Sequence, residues 1–203
     1  MPYTVIDLTC PGCGEPVNTS KKNCKYCGRE LVITSFTSVS SMLPKDIQRY
    51  VNSYKKVLSE APNNPTINLS IAMCYLKLKL YRQALFCFEK AIEDNFDNSE
   101  TYFYAAVSLL QGKKAFLTPI ADIKKAIEYV EAAIQIENRG IYYYFLAYIK
   151  FDFYERKSLN ISPNFFEELT KAYQNNVSQE DIRILFELLC VAIPENFNSS
   201  YFQ

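Results

Sequence analysis

From Pro44 onward the apolar residues recur at helical spacing, run after run. Ile47, Tyr50, Val51, Tyr54, Val57 and Leu58 mark an amphipathic helix that Pro62-Asn63-Asn64-Pro65 stops. Leu69, Ile71, Ala72, Tyr75, Leu76 and Leu78 form the next stripe. Ala84, Leu85, Phe88, Ala91 and Ile92 form another, with Tyr81-Arg82-Gln83 as the turn between the two. Two antiparallel helices approach closely only where side chains are small, which suits Ala72, Ala84 and Ala91; Tyr75 and Phe88 fill the space between. A second pair follows from Ser99. Its first helix carries Tyr102, Ala105, Ala106, Leu109 and Leu110; its second carries Ile123, Ala126, Ile127, Val130, Ala133 and Ile134. A third begins at Gly140 with IYYYFLAYIKFDFY, eight aromatics in fourteen residues, a helix buried on both sides or exposing some rings. Ser162-Pro163-Asn164 opens its partner, with Phe165, Phe166, Leu169, Ala172 and Tyr173. Ser178 with Asp181 caps a final helix, Ile182 to Ile193, ended by Pro194.

The first 43 residues lack this period. Tyr3 to Leu8 reads as an extended lead-in and Leu31-Val32-Ile33-Thr34 as a closing strand. Ser35 to Ser41, five hydroxyl residues in seven, breaks all periodicity, with Phe36 and Val39 available as anchors. The expected organisation is a small β module over 1–34, a linker over 35–43, a helical domain over 44–195 and a disordered tail over 196–203.

Residues 65–98 form one helix–turn–helix unit of 34 residues. Ile71, Ala72, Tyr75, Ala84, Phe88 and Ala91 fall on the signature positions of the tetratricopeptide repeat (TPR) family, which the stretch resembles. It departs at Asn68, where the family often has Trp, and at Phe96, where it usually has Pro. The expected fold is mainly α: a TPR-like helical-hairpin solenoid of about three units with capping helices, behind the β module. The second unit carries an eight-residue insertion within 111–122, since the expected alanine arrives at Ala126; Thr118-Pro119 with Asp122 looks like the helix start.

Four cysteines stand in the β module as Cys10-Pro11-Gly12-Cys13 and Cys24-Lys25-Tyr26-Cys27, ten residues apart, each pair followed by glycine. Each pair wraps two sulfurs around one ion, and the glycine lets the backbone turn tightly. Four sulfurs suit Zn²⁺, with iron in a rubredoxin-like site as the chemical alternative. Residues 5–34 thus look like a short zinc ribbon. Two disulfides or four free thiols are the competing readings. MPYTVIDLTCPGC lacks the basic and apolar regions of a signal peptide, which argues against disulfides and for a cytoplasmic protein. A site closed by four cysteines has no open position, so its ion is structural. Cys74, Cys87 and Cys190 lie in apolar helical patterns, as buried small hydrophobes.

Composition then removes function classes. The 203-residue chain has no histidine, which excludes Ser-His-Asp, Cys-His and His-ligated metal catalysis. Five glycines, at 12, 14, 28, 112 and 140, admit neither GxGxxG nor GxxxxGK[ST]. Lys+Arg and Asp+Glu are 22 each, against the basic excess of a phosphate-held protein. No apolar run is long enough to cross a membrane, so no membrane partner is expected.

What remains is a non-enzymatic scaffold or adaptor that recruits a protein or peptide segment. The resemblance implies a groove lined by the first helix of each unit. On this chain the lining positions are Thr66, Leu69, Met73, Leu76 and Lys77, then Glu100, Phe103, Val107, Leu110 and Gln111, then Ile141, Tyr144, Tyr148, Phe151 and Asp152. This set is apolar and aromatic and suits an amphipathic helix; the chain's own final helix or linker filling the groove is an equal alternative. Leu185, Phe186, Leu188, Leu189, Cys190 and Val191 make the last helix apolar enough for self-association. The rival is a nucleic-acid adaptor using Lys21, Lys22, Lys25 and Arg29 beside the ion. Those cations equally offset the excess charge of four thiolates on one dication, and the charge balance favours a protein partner.

Overall fold

The structure, a computed structural model, describes residues 5–94 and 96–197. The chain divides into two compact units, Met1–Phe96 and Asp97–Gln203. It is mostly helical, as expected.

Unit 1 opens with a two-stranded antiparallel sheet, β1 (Asp7–Thr9) with β2 (Pro16–Asn18), Leu8 opposite Val17. Of the expected lead-in, Tyr3 and Thr4 lie outside the described residues. Four helices follow: α1 (Thr37–Ser40), α2 (Pro44–Glu60), α3 (Pro65–Lys77) and α4 (Tyr81–Asp94). Pro44 and Pro65 both sit in a first turn, where the missing N–H costs nothing, and Asn64 caps α3 by accepting from the Ile67 N–H. α3 is buried continuously from Ile67 to Leu76, between α4 on one side and α2 and α1 on the other. Asn68, in the family's Trp position, is buried because its amide donates to the Pro62 and Asn64 carbonyls at 2.9 and 3.0 Å, tying the α2–α3 turn.

Residues 31–34 differ from the expected strand. They form no ladder; Asn23 and Glu30 make an isolated bridge just before them. Leu31 and Ile33 are apolar because both are buried, Leu31 against Cys10 and Cys24 of the knuckles, not because they alternate in a sheet. The carbonyls of Glu30, Leu31 and Ile33 accept from the hydroxyls of Tyr50 (2.8 Å), Tyr54 (3.0 Å) and Ser70 (2.8 Å), and Ser53 donates to the Thr9 carbonyl. Side-chain hydroxyls on α2 and α3 take the place of a partner strand. The serine-rich stretch also gains order: α1 inserts Val39, with Phe36 beside it, into the core.

Unit 2 contains α5 (Ser99–Leu109), α6 (Ile120–Ile136), α7 (Gly140–Ile149), α8 (Phe165–Gln174) and α9 (Gln179–Leu189). The helices pair as hairpins, α5 with α6 and α7 with α8. Gly140 is obligatory, because a Cβ there would stand 2.6 Å from the Ala172 carbonyl and 2.7 Å from the Val177 nitrogen. The aromatic run does not end with α7; it continues as a π-helical turn, Lys150–Tyr154. Asp152, buried in that turn, accepts the Phe116 N–H at 2.8 Å and a 2.6 Å bond from Arg156. The insertion folds as a short 3₁₀ turn, Ala115–Leu117, held there, with Arg156 and Lys157 over the Phe116 ring.

Three expectations at the carboxyl end change. α9 stops at Cys190, whose φ of 55° breaks the helix before Val191, and Cys190 is exposed rather than buried. Of the apolar residues that made this helix a self-association candidate, Leu185, Phe186, Leu188 and Leu189 are buried within unit 2, Val191 is half-buried and Cys190 exposed, and α9 turns Glu180, Arg183 and Glu187 to solvent. Phe197, expected in the tail, is buried against Tyr144, Phe151 and Phe165. Residues 198–203 lie outside the described residues.

Candidate metal centre and interaction surfaces

The two knuckles have the same backbone. In each, the first cysteine's carbonyl accepts from the glycine four residues on (Gly14 N–H and Gly28 N–H, both 2.9 Å). The first cysteine's own N–H donates to the carbonyl five residues on, Glu15 at 2.9 Å and Arg29 at 2.7 Å. Gly14 and Gly28 sit at φ 84° and 74°, where a side chain is strained. Gly12 N–H donates to Cys10 Sγ at 3.3 Å and Tyr26 N–H to Cys24 Sγ at 3.4 Å, the amide bonds that stabilise thiolate. Gly12 also lets the knuckles close, since a Cβ there would lie 2.9 Å from Cys27 Sγ.

All four sulfurs lie within 4.8 Å of one another, Cys10 to Cys27 at 3.6 Å and Cys13 to Cys24 at 3.8 Å. These separations are too long for a disulfide, about 2.05 Å. They match the edge of a tetrahedron with metal–sulfur bonds of about 2.3 Å, which is roughly 3.8 Å. Cys10, Cys13, Cys24 and Cys27 therefore fit a metal ion. Cys10 and Cys24 are buried against Leu31, with Val17 and Val32 packed alongside; Cys13 and Cys27 are exposed. Burial pushes the Cys10 thiol up. At Cys24 burial also raises the pKa, but amide bonds from Cys27 and Tyr26 and the thiols of Cys10 and Cys27 outweigh it, lowering it to about 7.

The basic residues beside this centre are partly committed. Lys22 pairs with Glu30 at 3.4 Å and Arg29 with Asp46 of α2 at 3.4 Å. Lys25 lies over the exposed Tyr26 ring at 4.8 Å, and Lys21 and Lys25 line a 690 Å³ cleft between the knuckles and α2 that also contains Asp7 and Glu60. Lys56 of α2 lines the same cleft, so three lysines and two carboxylates face one another there.

Most of the apolar residues expected to line the groove are not surface, while Thr66 is exposed and Glu100 and Gln111 are half-buried. In unit 1, Leu69, Met73 and Leu76 are buried and Lys77 half-buried. In unit 2, Phe103, Val107, Leu110, Tyr144 and Tyr148 are buried and Phe151 half-buried. Phe186 of α9 meets both Tyr144 (6.3 Å) and Tyr148 (5.1 Å), and Phe197 meets Tyr144 at 5.4 Å. The chain's own carboxyl end thus covers this face of α7, the alternative that sequence pattern left equal. The aromatic excess that read as a lining is core. An open concavity lies elsewhere in unit 1, around Phe86, and periodicity missed it because Phe86 falls off the apolar stripe of α4.

Residues 46–110 match the family model for the tetratricopeptide repeat. No curated protein matches the chain. Among solved structures it is similar to one titled a crystal structure of MamA, at 18% identity and a TM-score of 0.56, covering 84% of this chain and 91% of that one. It is also similar to MamA 41-end from Desulfovibrio magneticus RS-1, at 20% identity and a TM-score of 0.54, covering 71% and 73%. Likeness at such identity speaks to fold. The signature residues, the paired helical hairpins and the family match converge: behind its four-cysteine centre, the chain carries the tetratricopeptide-repeat fold.

Proposed function

We propose that this protein is a non-enzymatic adaptor of the cytoplasm, in which the repeat helices present a surface to another protein and the four cysteines hold a structural zinc ion. The observation that carries the reading is the repeat fold itself, helical hairpins matched over 46–110, an architecture suited to displaying surface for a partner. Its helical part, 44–195, is on this reading the recruiting domain, and the ribbon, 1–34, a second interaction module. Zinc is favoured by the four-sulfur set, whose closed geometry leaves no position for water or substrate. The lack of histidine supports a role without general acid–base chemistry of the commonest kind. A set of four cysteines placed to hold a metal ion suits a reducing compartment.

Co-purification of the tagged full chain from its own cells, with mass spectrometry and elemental analysis of one eluate, tests this. A protein at near-equal stoichiometry with one zinc per chain is the expected result. Nucleic acid as the retained species, or iron colour in the sample, overturns the partner or the metal respectively.

A further inference from the structure

Unit 1 has a groove of about 500 Å³ between α2 and α4, floored by α3. Leu58 and Pro62 form one wall, Ile71 and Tyr75 the floor, and Phe86 the other wall. Phe86 is 60% exposed. Asn68 explains the concavity: it stands in the floor where the repeat resemblance has Trp, and its amide is drawn down to the Pro62 and Asn64 carbonyls. An indole there would occupy space that the groove leaves open.

The rim has a sign. Among the described residues, Lys55, Arg82 and Lys90 line the groove and no carboxylate does, although the chain as a whole balances 22 cationic against 22 acidic side chains. Lys90 stands 5.0 Å from the Phe86 ring centre and donates to the Asn63 amide oxygen at 3.3 Å, so its ammonium is held over the apolar wall. Exposed apolar surface ringed by one sign of charge selects a ligand that offers the opposite sign around an apolar side chain.

We propose that this groove is a docking site for a short acidic segment of a partner protein. An aliphatic or aromatic side chain of the segment seats between Leu58, Tyr75 and Phe86, and its carboxylates pair with Lys55, Arg82 and Lys90. The inference rests on the adaptor reading and adds the partner's chemistry.

The test selects a random displayed peptide library on the full chain, then measures the enriched peptide, synthesised, against Phe86→Ser and against the double variant Arg82→Glu/Lys90→Glu. These positions lie at the surface, and circular dichroism with thermal unfolding checks that each variant keeps its fold. The expected peptides carry Asp or Glu flanking a large apolar residue, bind more weakly as salt rises, and lose at least about tenfold in affinity to either variant. No enrichment, enriched peptides without acidic residues, or undiminished binding to folded variants overturns the proposal. So does a dimer of the chain that Phe86→Ser dissolves, which would give the groove to a second copy. A cellular partner retained by the charge-reversed chain removes this groove and leaves the adaptor reading standing. Peptide binding without any cellular protein does the reverse.

Discussion

Lys150, Asp152 and Glu168 are buried charges inside unit 2, and each is paired. Lys150 Nζ and Glu168 Oε1 are 2.7 Å apart at 2% and 3% exposure, and Lys171 approaches the other Glu168 oxygen at 3.2 Å. Removing one partner strands the other charge in apolar surroundings, whereas removing both does not. Glu168→Leu is therefore expected to destabilise the fold by about 3–5 kcal/mol. Lys150→Met/Glu168→Leu should recover most of that loss. Urea unfolding of both variants decides it; equal loss in single and double mutants would contradict the pairing argument. Sequence pattern placed Lys150 in an aromatic helix but not its partner, because the pair joins two helices 18 positions apart.

Among elements, turn chemistry separates the expected boundaries from the observed ones. Tyr81-Arg82-Gln83 reads as the α3–α4 turn because it is polar, yet α4 already begins at Tyr81. The chain turns at Lys79, with φ 59°, where Leu80 N–H reaches the Tyr75 carbonyl and Lys79 N–H the Leu76 carbonyl, both at 2.9 Å. That is the Schellman closure, which favours glycine. Lys79→Gly is expected to raise stability by roughly 0.5–1 kcal/mol, relief of left-handed strain exceeding the added chain entropy; a fall in the denaturation midpoint would refute it. Helix starts were more legible: Ser178 accepts the Asp181 N–H at 3.0 Å, and Asn164 with Glu167 forms a capping box. A cap is a local side-chain signal, while a left-handed stop occupied by Lys79, Ser158 or Cys190 leaves none.

At the scale of the whole molecule, the knuckles and the repeat helices share one fold in unit 1. The carbonyls leading out of the second knuckle dock on Tyr50, Tyr54 and Ser70, so order at the four cysteines supports α2 and α3. A segment of some 30 residues buries too little apolar surface to hold its shape alone, and an ion held by the four cysteines would supply the difference. Chelation, or Cys24→Ser, is thus expected to release one metal per chain and to lower the unfolding temperature of the helices as well as of the ribbon, a loss of several kcal/mol. Unchanged thermal unfolding after metal release would show the two are uncoupled. By itself the sequence determined what is local: helix periods, the repeat signature with its small residues, the proline and Asn or Ser starts, and two cysteine knuckles whose sulfurs converge. Only tertiary structure decided which apolar residues face solvent. Tyr144 and Tyr148 are covered by Phe186 and Phe197, and Leu31 and Ile33 are satisfied by hydroxyls from helices rather than by a strand. Phe86 stands open beside a cationic rim. Periodicity states that a side chain is apolar and which way along its own element it points. What covers it comes from residues tens of positions away, and so the groove lies where the repeat's missing Trp leaves room.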